Sequence, residues 1–304
     1  MTAPDWLWIP ITLWAAFAQT LRNAAQRHLS AELGTLGATL VRFLYGLPFA
    51  ALWLWLVARF GGYALPAASG SFAFWVTLGA VAQIAATAFL LATMQERNFA
   101  LGVAYSKTEI IQVAVFGLAF LGDPVTVATA FAVLLGTCGV LLLAPADKAR
   151  PLASLAAGWT SRAALLGLAS GGGFALSAVG YRGAALALEA APFLMAAATT
   201  LLVAQTIQTL LLGGWLLWRS RAVVLRVFRA WRASLFAGLM GAAASAGWFT
   251  AFTLETAAHV RTLGLAELVF SMAVARRFFR EKLTPLELGG VALLAAGIVL
   301  VTLG

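Results

Sequence analysis

Of the 11 acidic residues in this 304-residue chain, Glu109 and Glu267 fall inside stretches apolar enough to cross a bilayer. A carboxylate in hydrocarbon is costly, so such a residue reads first as functional: it binds a charged ligand, carries a proton, or ties one helix to another. Glu109 belongs to Tyr105-Ser106-Lys107-Thr108-Glu109-Ile110-Ile111-Gln112, where a phenol, hydroxyls, an amine, an acid and an amide follow in close succession. On a continuous helix Tyr105, Glu109, Gln112 and Phe116 form one stripe, and Gly264, Glu267 and Ser271 form another. Lys107, two positions from Glu109, then points to nearly the opposite face and serves a different neighbour.

The two acids are related by numbering. The offset 267 − 109 = 158 also takes Asp123 to Glu281, Thr126 to Thr284 and Gly139 to Gly297. With one more residue of shift, Gly79 aligns with Gly238, Phe89 with Trp248 and Glu96 with Glu255. The chain therefore reads as two repeats, 1–150 and 151–304, divided in the polar stretch Ala144 to Ser161.

Other candidates lie in other apolar segments. Gln19, Arg22, Asn23 and Gln26 form a polar stripe at helical spacing, of which Gln19 is the deepest. Gln83 shares a face with Thr87, and Trp248 lies on a stripe with Gly238, Gly241, Ser245 and Phe252. Trp14, Tyr105 and Trp248 offer rings to an amino acid side chain or an organic cation; as a plain alternative they are interface or packing residues. Arg42 either snorkels to the interface or pairs inside the bundle. A buried acid must find some partner, and Arg42, Lys107 or a backbone group would serve.

These residues need elements to hold them. The chain is 62% hydrophobic and 10% charged, too little charge for a soluble globule, and apolar runs of about 20 residues recur throughout. The fold class is an all-α polytopic membrane protein. Its spans are expected at about Trp6 to Gln26, Leu36 to Ala58, Phe72 to Met94, Ala100 to Leu121, Val125 to Leu143, Arg162 to Leu188, Pro192 to Trp218, Ala233 to Leu254, Arg261 to Phe279 and Pro285 to Leu303. Pro48 should kink the second. Gly136 and Gly139 suit the fifth to close packing, and the glycines of the sixth mark either close contact or a hinge. The run from Arg219 to Arg232 is expected as a short interfacial amphipathic helix. Five spans per half is an odd number, so the halves are expected to be inverted repeats.

The net charge of +9 comes from 20 Lys and Arg set mainly at helix ends and in a few loops. That is the pattern of topology and lipid headgroups, not of nucleic-acid binding, for which no basic extramembrane domain exists. Cys138 is alone, and His28 and His259 stand far apart; neither a metal cluster nor a cofactor is expected. The basic residues gather on the side holding the 219–232 loop, which places that loop in the cytoplasm and Gly304 outside.

The chain resembles the drug/metabolite transporter superfamily, in its EamA-type ten-helix form. The residues that carry this are Glu109-Ile110-Ile111, Leu121-Gly122-Asp123 and Gly136/Gly139 in the first half, with Glu267-Leu268-Val269, Phe279-Arg280-Glu281-Lys282-Leu283-Thr284 and Gly297 in the second. Arg42-Phe43 is similar to the family's Arg-Phe pair. The pattern departs from the family at Ile110 and Leu268, which replace proline, and at Arg280, which replaces glycine. The resemblance implies that the first four spans of each half surround a central cavity while the fifth and tenth brace it. It also implies the opposite orientation of the termini from the one the charges give.

The leading expectation is a secondary transporter in a bacterial inner membrane, monomeric or homodimeric, whose partners are a small-molecule substrate and membrane lipids. It would move an amino acid-like metabolite or an organic cation, outward, by alternating access. Proton coupling through Glu109 or Glu267 is one option, since burial disfavours carboxylate charge; an uncoupled facilitator is another. A lipid flippase of the same fold is the alternative. An intramembrane enzyme lacks a nucleophile–base pair or metal set.

Overall fold

The computed structural model describes residues 4–93, 106–143, 161–188, 190–270 and 285–303. Every regular element among them is helical: α1 (Trp8–Leu44), α2 (Leu47–Gly61), α3 (Gly70–Thr93), α4 (Glu109–Phe116) with a π turn at Gly117–Leu121, α5 (Val127–Leu143), α6 (Arg162–Leu186), α7 (Phe193–Arg219), α8 (Arg221–Arg229), α9 (Trp231–Leu254), α10 (Ala257–Leu263) and α11 (Pro285–Leu303). Among the described residues, five stretches are long and apolar enough to cross a membrane: 32–61, 70–90, 162–186, 193–219 and 231–254. Shorter apolar helices occur at 109–121, 127–142 and 288–303.

These elements group into two units that do not follow the sequence halves. One joins Met1–Ile84 to Gly180–Thr256; the other joins Ala85–Val179 to Ala257–Gly304. The first takes one segment from 1–150 and one from 151–304, and the first segment of the second runs across the 150/151 boundary, so compactness and the expected repeats divide the chain differently.

In the first unit α1 runs along α9. Most of the expected loop between the first two spans is helical instead: the helix runs on to Leu33, breaks at Gly34, whose φ of 71° only glycine adopts easily, and a second helical stretch follows to Leu44. Leu29 and Leu33, on the expected loop, are core residues that meet Ala38 and Val41 from beyond the bend. Gln26 crosses the same bend, its Nε2 donating to the Ala38 carbonyl at 2.9 Å. The Pro48 kink is present: the chain turns at Tyr45–Gly46 and α2 restarts with the proline in its first turn, where the missing N–H costs nothing.

In the second unit α5 lies along α11. A methyl group added at Gly139 would fall 2.7 Å from the Gly290 carbonyl oxygen and 2.8 Å from the Leu294 nitrogen. One at Gly297 would fall 2.8 Å from the Ala132 carbonyl oxygen and 3.0 Å from the Gly136 nitrogen. The small residues thus let two backbones touch. Gly122, with φ 68°, closes the π turn before Asp123-Pro124, the expected tight break. Helix α6 is unbroken from Arg162 to Leu186, and a methyl group added at Gly171 or Gly180 would fall within 3.0 Å of a neighbouring backbone.

The ninth expected span needs correction. Only Glu255 and Thr256 separate α9 from α10, which begins at Ala257 rather than at Arg261. It ends at Leu263, a turn occupies Gly264–Leu265, and helix resumes over 266–270.

Candidate functional site

Glu109 and Glu267 both follow a break in their helices. Lys107–Thr108 form a turn, and Glu109 opens α4. At the second break the Glu267 nitrogen donates to the Gly264 carbonyl at 3.0 Å and the Leu268 nitrogen to the Leu265 carbonyl at 2.9 Å, a three-residue spacing that tightens the backbone locally. Under the repeat offset the breaks overlap, one residue out of register: 107 + 158 = 265, while 108 + 158 = 266 is already helical. Each acid therefore sits in the first turn of a half-helix, where unsatisfied N–H groups favour negative charge.

Glu109 is held by a residue that sequence reasoning placed at the start of the ninth span and did not single out. Arg261 Nη2 lies 2.8 Å from Glu109 Oε1, with the two side chains 16% and 13% exposed. Arg261 was expected to open the ninth span; it is instead the fifth residue of α10, which begins at Ala257. Arg42 is not the partner: it is buried in the first unit, packed over the Phe43 ring at 5.5 Å and against Gly241. Lys107 stands in the turn that precedes Glu109. The opposite-face argument assumed an unbroken helix, and the turn at Lys107–Thr108 removes that premise.

Gln112 Nε2 donates to Thr108 Oγ1 at 3.1 Å, folding the amide back over the break. Helix α6 passes close by: a methyl group at Gly171 would fall 2.8 Å from the Ser106 carbonyl oxygen, and one at Gly172 would fall 2.7 Å from Gln112 Oε1. His259, two residues before Arg261, has its Nε2 2.7 Å from Thr129 Oγ1. Tyr105 and Ser271 lie outside the described residues.

The first unit holds the other candidates, in separate places. Trp248 is buried and its Nε1 donates to Gln19 Oε1 at 3.1 Å. Gln83 belongs to a different network, with two residues sequence reasoning passed over. Tyr181 hydroxyl and Gln208 Nε2 both donate to Gln83 Oε1, at 3.0 and 2.7 Å, and Gln208 Nε2 also reaches the Tyr181 oxygen at 2.9 Å. Tyr181 and Gln208 are fully buried. Polar groups in apolar spans must find partners, so a tyrosine in α6 and a glutamine in α7 were the available signal. Trp14 joins neither group; it is 51% exposed and lies against Phe17. Among the described residues no three His, Cys, Asp or Glu side chains gather where a metal ion would sit.

Comparison with known proteins adds the following. Residues 161–303 match the model of the EamA-like transporter family. No curated protein matches the chain. Solved structures do: one, described only as the crystal structure of a protein, superposes with a TM-score of 0.71 over 98% of this chain and 96% of its own. At 15% identity that is a likeness of fold alone.

Proposed function

Through residues 161–303 the chain belongs to the EamA-like transporter family, part of the drug/metabolite transporter superfamily, and from that premise we propose a carrier whose substrate path runs past Glu109 and Glu267. It is an integral membrane protein. The observation that carries the finer reading is the pair of breaks at overlapping repeat positions, with Glu109 one residue and Glu267 two residues beyond its break. Discontinuous helices with half-helix termini near the membrane midplane are where secondary transporters hold substrates and coupling ions.

In this reading the carrier moves a small organic metabolite, amino acid-like or cationic, by alternating access. The Glu109–Arg261 pair keeps the acid compensated when no substrate is present. A proton or a cationic substrate group that takes Glu109 displaces Arg261, which turns to Glu267 or to an anionic group. Charge inside the membrane then stays balanced at every step.

The ten-span, inverted-repeat architecture is part of the proposal. Its support is the α5–α11 contact, which maps onto itself under the repeat offset: 297 − 139, 290 − 132 and 294 − 136 are all 158. Residue i meets j and the counterpart of j meets that of i, as two-fold axes require. Gly139 lies opposite 290 and 294 while Gly297 lies opposite 132 and 136, so the paired helices run antiparallel. The Arg-rich 219–232 loop is placed in the cytoplasm by charge.

The test is transport by protein reconstituted in liposomes, with a substrate first found by a ligand-stabilisation screen. Glu109→Gln and Glu267→Gln are expected to fold normally and to lose transport or its pH dependence. Well-folded single and double variants that transport normally with an unchanged pH profile would overturn the assignment.

A further inference from the structure

Helix α8 has no part in the carrier chemistry, yet it is placed with care. It lies between the end of α7 at Arg219 and the start of α9 at Trp231. Both neighbours are long and apolar enough to span, so α8 is held at the level of a membrane face. Its inner residues are buried. Val227 packs with Leu29 and Leu33 from before the Gly34 bend and with Ala38 and Val41 from beyond it. Val224 packs with Leu40 and Phe43 of α1 and with Leu212 and Leu216 of α7. The Tyr45 hydroxyl donates to the Val227 carbonyl at 3.2 Å. The short helix is therefore a splint set into the angle of α1.

Its outer face is different in kind. Arg221, Arg226 and Arg229 are exposed, flanked by exposed Arg219 and Arg232. Between them Leu225 and Phe228 are 56% and 54% exposed, and Trp218 and Trp231 stand exposed at the two ends. No acidic residue occurs between Glu189 and Glu255. A charged face meant only for water has no reason to interleave leucine and phenylalanine with its arginines. Tryptophans prefer the headgroup level, guanidinium groups grip phosphate oxygens in a planar fork, and the apolar side chains can reach the acyl boundary.

We propose that the outer face of α8 docks anionic phospholipid headgroups, and that lipid held there stiffens the Gly34 bend through Val224 and Val227. The proposal does not depend on what the carrier transports.

The full-length protein in neutral detergent should be titrated with phosphatidylglycerol or phosphatidylcholine. Bound lipid is read by native mass spectrometry and stability by thermal unfolding. The wild-type protein should retain phosphatidylglycerol preferentially and unfold at a higher temperature with it. Each arginine near an anionic surface contributes roughly fivefold to affinity, so Arg226→Gln/Arg229→Gln should weaken retention roughly 25-fold. The control Arg59→Gln/Arg162→Gln removes two exposed arginines elsewhere and should keep both effects. Val227→Ala should keep the lipid but lose the thermal gain. Should the Gln pair fail to fold, high salt applied to the wild-type protein serves instead, and it should strip the lipid. No preference for the anionic lipid, equal losses in both arginine pairs, or retention in high salt would each overturn the proposal.

Discussion

Removing Arg261 should destabilise the protein because of what it leaves behind. With Glu109 13% exposed and its partner 2.8 Å away, Arg261→Gln strands a carboxylate among apolar helices. Two unit charges about 4 Å apart interact by about 4 kcal/mol at an effective dielectric of 20, and breaking a buried pair typically costs about 3–5 kcal/mol. Residual exposure screens part of this, so we expect Arg261→Gln to cost about 3 kcal/mol. In a Glu109→Gln background the stranded charge is gone, and the same change should cost about 1 kcal/mol, giving a coupling of about 2 kcal/mol. Lys107→Gln should couple to Glu109 more weakly, since Arg261 is the residue in ion-pair contact with the acid. The assay is a double-mutant cycle on purified protein, unfolded by titration with sodium dodecyl sulfate and followed by the fluorescence of its 11 tryptophans. A coupling below about 0.5 kcal/mol, the usual limit for independent sites, would refute the claim that the pair holds α4 to α10.

Two further outcomes follow from packing. Gly139→Leu and Gly297→Leu each drive a side chain into the facing backbone of α5 or α11, so each should cost about 1–3 kcal/mol in the same titration. Because the contacts are equivalent, the two losses should match within error. Gln208→Leu deletes the amide that reaches Gln83 and Tyr181; at about 0.6 kcal/mol per membrane hydrogen bond, the loss should be about 1 kcal/mol, with transport left unchanged.

The parts of the fold legible in the sequence were those written in composition and offset. Glu109 and Glu267 stood out because acids in apolar runs are rare, and Gly139 and Gly297 because the offset paired them. The Pro48 kink followed from chemistry that any helix obeys. The misreadings have a common cause in the reach of periodicity. Arg27 to Leu33 contains polar residues but no strong breaker, so the helix runs on until Gly34. Likewise Glu255 to Val260 looked like a connection, while only Glu255 and Thr256 are non-helical. That shift moved Arg261 from the expected end of a span into the interior of α10. The partner of Glu109 could not be named from sequence because nothing local links residue 109 to residue 261.

The remaining error concerns the breaks themselves, and it fell where the candidate site is. Lys107-Thr108 and Gly264-Leu265 carry no proline, and a pattern of 3.6-residue spacing passes over a two-residue interruption without trace. Backbone irregularity at membrane depth persists only where protein or a polar cavity satisfies the freed groups. The second unit supplies such partners at the first break: Gln112 bonds to Thr108, Arg261 meets Glu109, and the missing side chains of Gly171 and Gly172 bring α6 against Ser106 and Gln112. These groups are polar in the interior of apolar helices and serve one another across three elements. Local preference asks for a continuous helix at that point, and the fold overrides it. Conflicts of that kind are expected where function, rather than stability, has chosen the residues, and the two acids stand one and two residues beyond them.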